Sequence, residues 1–218
     1  KQHPRVMDLP NIECIMPHAR GAPVRSLTTL RSKDFLCPYE THCFALCHCC
    51  DFDACDCEMT CPTNCSCYHD QTWSTNVVDC GGQKTIDLPN RIPMDATEVY
   101  LDGNVIPELQ NHAFIGRKNL RVLFVNGSSV AAIQNRTFAG LSALQVLNLG
   151  DNHLHTLHGY EFEHLSHLKE LYLHNNQLTH IGNETLAAMK SLQVLRIDGN
   201  RISILNVWQL QPKHFVHL

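Results

Sequence analysis

The sequence predicts an α/β solenoid with a parallel β-sheet on its concave face, loops and short helical turns on its convex face, and disulfide-rich caps. Three observations lead there. Apolar residues recur every 24 positions through the second half of the chain. All 12 cysteines lie between Cys14 and Cys80, and residues 81–218 contain none. The cysteine-dense and cysteine-free halves meet where the first repeat begins, as they should if cysteines close a core that the repeats fill.

The repeat is read from its columns. Leu123, Leu147, Leu171 and Leu195 stand 24 residues apart, with Val99 opening the series. Two residues on come Leu101, Val125, Leu149, Leu173 and Ile197; three further come Asn104, Ser128, Asn152, Asn176 and Asn200. Ile106, Val130, Leu154, Leu178 and Ile202 follow, and two more columns keep the period: Leu109, Ile133, Leu157, Ile181, Leu205, and Phe114, Phe138, Phe162, Leu186, Leu210. Each block reads L-x-x-L-x-L-x-x-N-x-L, the leucine-rich repeat pattern, so the fold class is an α/β leucine-rich repeat solenoid. The L-x-L step is a short strand whose alternate side chains point inward. The Asn turns the chain and satisfies backbone groups that would otherwise be buried unpaired. The Phe column fills the wider convex half. Ser128 departs from the Asn column, and its shorter side chain is expected to leave the second turn less well satisfied.

The bulk numbers exclude more than they assert. A net charge of -4 gives no basic surface for nucleic acid, and 17% charged residues leave no acidic tail. No apolar run reaches the roughly 18–20 residues of a membrane span. The start at Lys1, with no initiator Met and no signal-peptide core, suggests a fragment whose targeting or anchoring segments lie elsewhere. The 15 histidines, with His153, His155, His158, His164, His167 and His174 close together, invite a metal reading. The columns argue against it, because His153 aligns with Val105, Ser129, Gln177 and Arg201, and His158 with Gln110, Gln134, Gly182 and Asn206. Such variable columns mark solvated surface. No H-E-x-x-H, nucleophile elbow or phosphate-cradling Gly loop occurs. Catalytic residues, metal ligands and cofactors are therefore expected to be none, and the chain is not read as an enzyme.

Before the first repeat stands Cys61-x3-Cys65-x-Cys67-x12-Cys80. It resembles the N-terminal cysteine cap of extracellular leucine-rich repeat proteins, and the resemblance implies bridges Cys61–Cys67 and Cys65–Cys80. The alternative is four thiolates around one zinc ion. Upstream, Cys14 and Cys37 look like the second half of a C-terminal cysteine cap, whose partners would precede Lys1. Cys43, Cys47, Cys49, Cys50, Cys55 and Cys57 then remain, able to form three bridges in 15 possible connectivities. The expected organisation is an incomplete C-terminal cap of a preceding repeat block over 1–60, an N-terminal cap over 61–94, and about five truncated repeats over 95–218. The next strand would start near Val216.

Asn-x-Ser/Thr occurs at Asn126, Asn135 and Asn183, the candidate glycosylation sites, and formally at Asn64. Asn135 and Asn183 share a column. Asn126 is expected on the exposed side of a strand. With the cysteine caps, these favour the secretory route.

The most specific signal is the string from Phe35 to Cys57, with Cys37-Pro-Tyr-Glu-Thr-His-Cys43 and Cys47-His-Cys49-Cys50 in it, followed by Cys61-Pro and Met94-Asp-Ala-Thr-Glu-Val-Tyr-Leu-Asp-Gly-Asn104. It resembles the juxtamembrane half of the ectodomain of insect Toll receptors, of the long 18-wheeler and Tollo type. The resemblance implies a single-pass type I protein of the cell membrane with a TIR domain inside. It also implies a protein ligand of the cystine-knot Spätzle or neurotrophin-like kind, or another cell-surface receptor, with receptor dimerisation; the charge balance adds that no nucleic acid is expected as a partner. The role is then innate immunity or development. The alternative function is a secreted or membrane-anchored adhesion or guidance protein without a TIR domain. The central column of the concave face, Tyr100, Phe124, Asn148, Tyr172 and Arg196, is the candidate protein-binding stripe, since exposed aromatics and Arg dominate interface energetics. Ordinary strand residues shielding a sheet are the alternative.

Overall fold

The computed structural model describes residues 61–70, 74–182, 185–186 and 189–203, with five short backbone pieces ahead of them: Glu13–Cys14, Arg25–Ser26, Pro38–Tyr39, Thr41–Cys43 and Glu58–Thr60. Each L-x-L step forms a three-residue strand: Glu98–Tyr100, Val122–Phe124, Val146–Asn148, Glu170–Tyr172 and Val194–Arg196. They pair parallel with a constant offset of one repeat, so Val99, Leu123, Leu147, Leu171 and Leu195 lie side by side. All five are fully buried. The register cannot slip by one residue, because that would turn this row to solvent.

At the cap the sheet changes direction. Thr75–Asp79 pairs parallel with Glu98–Tyr100 but antiparallel with Ser66–Asp70, and Pro38–Tyr39 adds an antiparallel edge beyond that. The sheet thus has eight strands. Elsewhere upstream, Glu13–Cys14 pairs antiparallel with Arg25–Ser26, and Thr41–Cys43 with Glu58–Thr60.

On the convex side two short parallel pairs recur, Glu108–Leu109 with Ala132–Ile133 and Thr156–Leu157 with His180–Ile181. Among the described residues the helical content is one 3-10 turn, Tyr160–Phe162. Beneath it the Phe column stacks: Phe114 to Phe138 at 6.2 Å between ring centroids and Phe138 to Phe162 at 6.1 Å, with nearly parallel planes. Offset ring pairs of this kind add roughly 0.5–1.5 kcal/mol beyond their buried area.

The Asn column is a hydrogen-bonded ladder between turns. Asn152 Nδ2 donates to the carbonyls of Val125, Leu149 and Gly150, and its Oδ1 accepts from the amides of Ser128 and Val130. Asn176 and Asn200 repeat the arrangement one and two turns on. Asn104 starts it, donating to the carbonyls of Cys80 and Leu101. The expectation that Ser128 leaves its turn under-satisfied is corrected. Ser128 Oγ donates to the Leu101 carbonyl at 2.7 Å, as Asn152 does to Val125, and accepts the Asn104 amide at 3.2 Å. The Ile106 amide, which a longer side chain would have bonded, donates to the Ser128 backbone carbonyl instead.

Candidate functional site: the concave face and its cap

The strands present one side chain each at the centre of the concave face. Register aligns Tyr100, Phe124, Asn148, Tyr172 and Arg196 in a row, each one repeat from the next. Exposure grades along it. Tyr100 is 4% exposed and packs edge-on against Phe124 at 5.2 Å, so it is a wall residue rather than the exposed aromatic expected. Phe124, Asn148 and Tyr172 are half-buried, and Arg196 is exposed. Among the described residues exposure thus rises from Tyr100 to Arg196, which lies in the last described strand.

Acids two residues earlier hold the tyrosines. Tyr100 Oη donates to Glu98 at 2.8 Å and Tyr172 Oη to Glu170 at 2.7 Å. Burial, with the Glu170 carboxylate adding to it, pushes the Tyr172 phenol up to about 12. It stays a neutral donor across the physiological range. Arg196 forms a two-bond fork with Asp198, 3.0 and 3.1 Å. That contact raises the guanidinium pKa and holds the Asp198 carboxyl below its usual range. His174 meets Asp151 at 3.4 Å and Tyr172 edge-on, and its ring lies where a side chain at Gly150 would stand. Asn175 donates to the same Asp151. Around Tyr172 and Arg196 the row is thus a polar lattice set about one phenol and one guanidinium.

The cap is built by four cysteines. Cys61 is bonded to Cys67 and Cys65 to Cys80, with Cα separations of 5.8 and 4.3 Å. Cys67 and Cys80 are 1% exposed and belong to the same apolar core as the repeats. Thiols committed to disulfides are not metal ligands, which removes the zinc alternative here. Beside them a polar knot joins cap to first repeat. Asn76 Nδ2 donates to the Asp95 carbonyl and carboxylate, and Asn76 Oδ1 pairs with His69 Nδ1. Burial raises the Asp95 pKa. Sequence reasoning missed this knot, because nothing in the spacing of Asn76 and Asp95 signals a contact.

The other site residues fall unevenly. Asn135 is exposed, while Thr137 in its motif is fully buried and donates to the carbonyls of Leu109 and Gln134. Asn126 lies two residues past the end of its strand and is half-buried. Asn183, Cys37, Cys47, Cys49, Cys50, Cys55 and Cys57 lie outside the described residues, as do the side chains of Cys14 and Cys43. His153, His155, His158, His164 and His167 are exposed, and no group of three metal-ligating side chains converges among the described residues. No helix among them is long and apolar enough to cross a membrane.

Stacked parallel strands, an Asn ladder and a disulfide cap define a leucine-rich repeat protein, and the leucine-rich repeat family pattern matches residues 96–154 and 142–202. Toll-like receptor 7 of Drosophila melanogaster is 77% identical over 123 residues, which are 56% of this chain and 8% of that protein. The match therefore spans a small part of that relative's length. The crystal structure of a TLR13–ssRNA13 complex superposes with a TM-score of 0.57 at 30% identity, over 63% of this chain and 20% of that one. Human 5T4 (trophoblast glycoprotein) does so at 0.51 and 21% identity, over 68% and 65%, a likeness of fold alone. The chain is a leucine-rich repeat segment of the insect Toll receptor family.

Proposed function

We propose that the chain is an extracellular segment of a single-pass Toll-type signalling receptor, and that Asn148, Tyr172 and Arg196 of the concave row contact a protein partner. The observation that carries this reading is the in-register row itself, in which a neutral phenol and a planar guanidinium are held in fixed orientation by Glu170 and Asp198. Prepaid side-chain ordering of this kind favours protein recognition. Family likeness supports a cystine-knot ligand of the Spätzle class, or a second receptor, in immune or developmental signalling. Residues 1–60, 61–94 and 95–218 are proposed as the preceding block's C-terminal cap, the N-terminal cap and the repeats. The motifs at Asn135 and Asn183 fit the same compartment.

The TLR13 relative was crystallised with ssRNA13. Nucleic acid is not proposed for this chain. Phosphate binding needs cations free to displace counterions. Here the row's one guanidinium is already paired with Asp198, and Glu98 and Glu170 line the same face.

The test uses the full-length receptor on cells and a Spätzle-class cystine-knot protein as probe. Tyr172→Ser and Arg196→Ser, each surface-displayed and folded, are expected to weaken binding about tenfold or more. Unchanged binding by both would sink the assignment of this face. A reading frame that continues into a lipid-anchor signal instead of a membrane span and TIR domain would favour the adhesion alternative.

A further inference from the structure

We propose that Asn126 carries an N-linked glycan, and that Ser128 stands in the Asn ladder because its hydroxyl serves both the ladder and that modification. The inference rests on the extracellular reading above. At the other four ladder positions described, 104, 152, 176 and 200, the residue is Asn. The ladder's usual residue at position 128 would place an amide two residues after Asn126, where the modification requires a hydroxyl. Ser128 completes Asn126-Gly127-Ser128 and still donates to the Leu101 carbonyl and receives the Asn104 amide. So the one departure from the ladder costs the fold little and creates a modification motif.

Three observations place the acceptor atom at solvent. Exposure alternates from Val122 to Asn126, with Leu123 and Val125 fully buried, so Asn126 continues the concave side beyond the strand end. Its Oδ1 is buried without a partner, whereas its Nδ2 is neither among the buried unpartnered atoms nor bonded to a described group. The amide is thus turned nitrogen-outward, the atom a sugar would occupy. Next to it Gly127 is exposed at φ 63, and a Cβ there would meet nothing within 4 Å. The space beside the next residue in the motif is thus open.

The transfer takes place on the unfolded chain, before Ser128 closes on Leu101. Asn126 Nδ2 attacks C1 of the first N-acetylglucosamine of a lipid-pyrophosphate-linked oligosaccharide. The N–C bond forms as the C–O bond to the pyrophosphate breaks. The lipid pyrophosphate leaves with the electron pair, and one amide proton passes to the transferase's base. Once folded, the glycan stands beside Phe124 at the second turn, on the more closed part of the row, and leaves Asn148, Tyr172 and Arg196 as the reachable part.

The experiment expresses the full chain through the secretory pathway of insect cells and maps peptides after glycosidase release in heavy-oxygen water. Alongside, non-reducing mapping of Cys61–Cys67 and Cys65–Cys80 reads the compartment independently. Heavy-oxygen conversion of Asn126 to the acid is expected. Asn126→Gln and Ser128→Asn should each lose the same single-glycan mobility step with the fold intact by circular dichroism, and Ser128→Thr should keep it. Formed bridges with a bare Asn126 would overturn the proposal and leave the extracellular reading standing. Free cysteines with a bare Asn126 would overturn both.

Discussion

The cap and the repeats solve one problem, closing an apolar core, by different chemistry. In the repeats each turn lends its buried Asn or Ser to the carbonyls and amides of its neighbour, and Phe114, Phe138 and Phe162 stack through the turns. The stabilisation is distributed and each turn depends on the next. The cap has a neighbouring repeat on one side only. Its antiparallel hairpin, Ser66–Asp70 with Thr75–Asp79, covers the open end and is tied by two covalent bonds into the same core. A stack of repeats needs no staples, whereas the place where the stack stops does. That is the physical reason for the four cysteines of this cap.

The comparison can be broken at several points. Phe138→Ala removes the middle ring of the stack and leaves a cavity in the thick of the solenoid. A loss of about 3–5 kcal/mol is expected by denaturant unfolding. Cys65→Ser with Cys80→Ser frees a 15-residue span and should cost about 3 kcal/mol, with the added loss appearing only under oxidising conditions. The same pair of substitutions in reductant should be nearly silent.

Within the ladder, two substitutions sharpen the contrast between its rungs. Asn152→Ala strands the Val125 carbonyl and the Ser128 and Val130 amides and should cost about 2–3 kcal/mol. Ser128→Ala strands fewer groups and should cost about 1 kcal/mol, since the Ile106 amide keeps its backbone partner. Equal losses would mean that the side-chain bonds are not what orders the turns. The smallest effect lies at the junction. Burial raises the Asp95 pKa above its ordinary 3.8. The folded state therefore holds that proton more tightly, and this contribution to stability is present below the ordinary pKa and lost as pH rises through the raised one. At neutral pH the carboxylate costs stability, so Asp95→Asn should raise stability, by less than about 1 kcal/mol once solvent screening is allowed for. The two melting curves should converge at low pH.

Much of this was legible because a 24-residue period is a geometric statement. Identical spacing puts Leu123, Leu147 and Leu171 in one buried row without any knowledge of the backbone path. The departures were less legible. Whether Ser128 reaches the Leu101 carbonyl depends on a distance of a few ångströms between turns, which residue type alone does not fix. Tyr100 was expected exposed because its column faces the concave side; its burial comes from Phe124 on one side and the cap strand Thr75–Asp79 on the other, a tertiary fact. The Asn76–Asp95 knot joins two non-repeating segments, so no column could reveal it. On the face proposed to bind, sequence identified the row, and the grading from buried Tyr100 to exposed Arg196 came from the fold.

Native-state hydrogen exchange on the full chain, with and without reductant, tests the division of labour most directly. Reduction is expected to strip protection from Ser66–Asp70 and Thr75–Asp79 first, with the strands from Val122 to Arg196 retaining theirs. Simultaneous loss of protection in the cap and in the strand Glu170–Tyr172 would contradict it, and would mean that the bridges hold the repeats as well as their end.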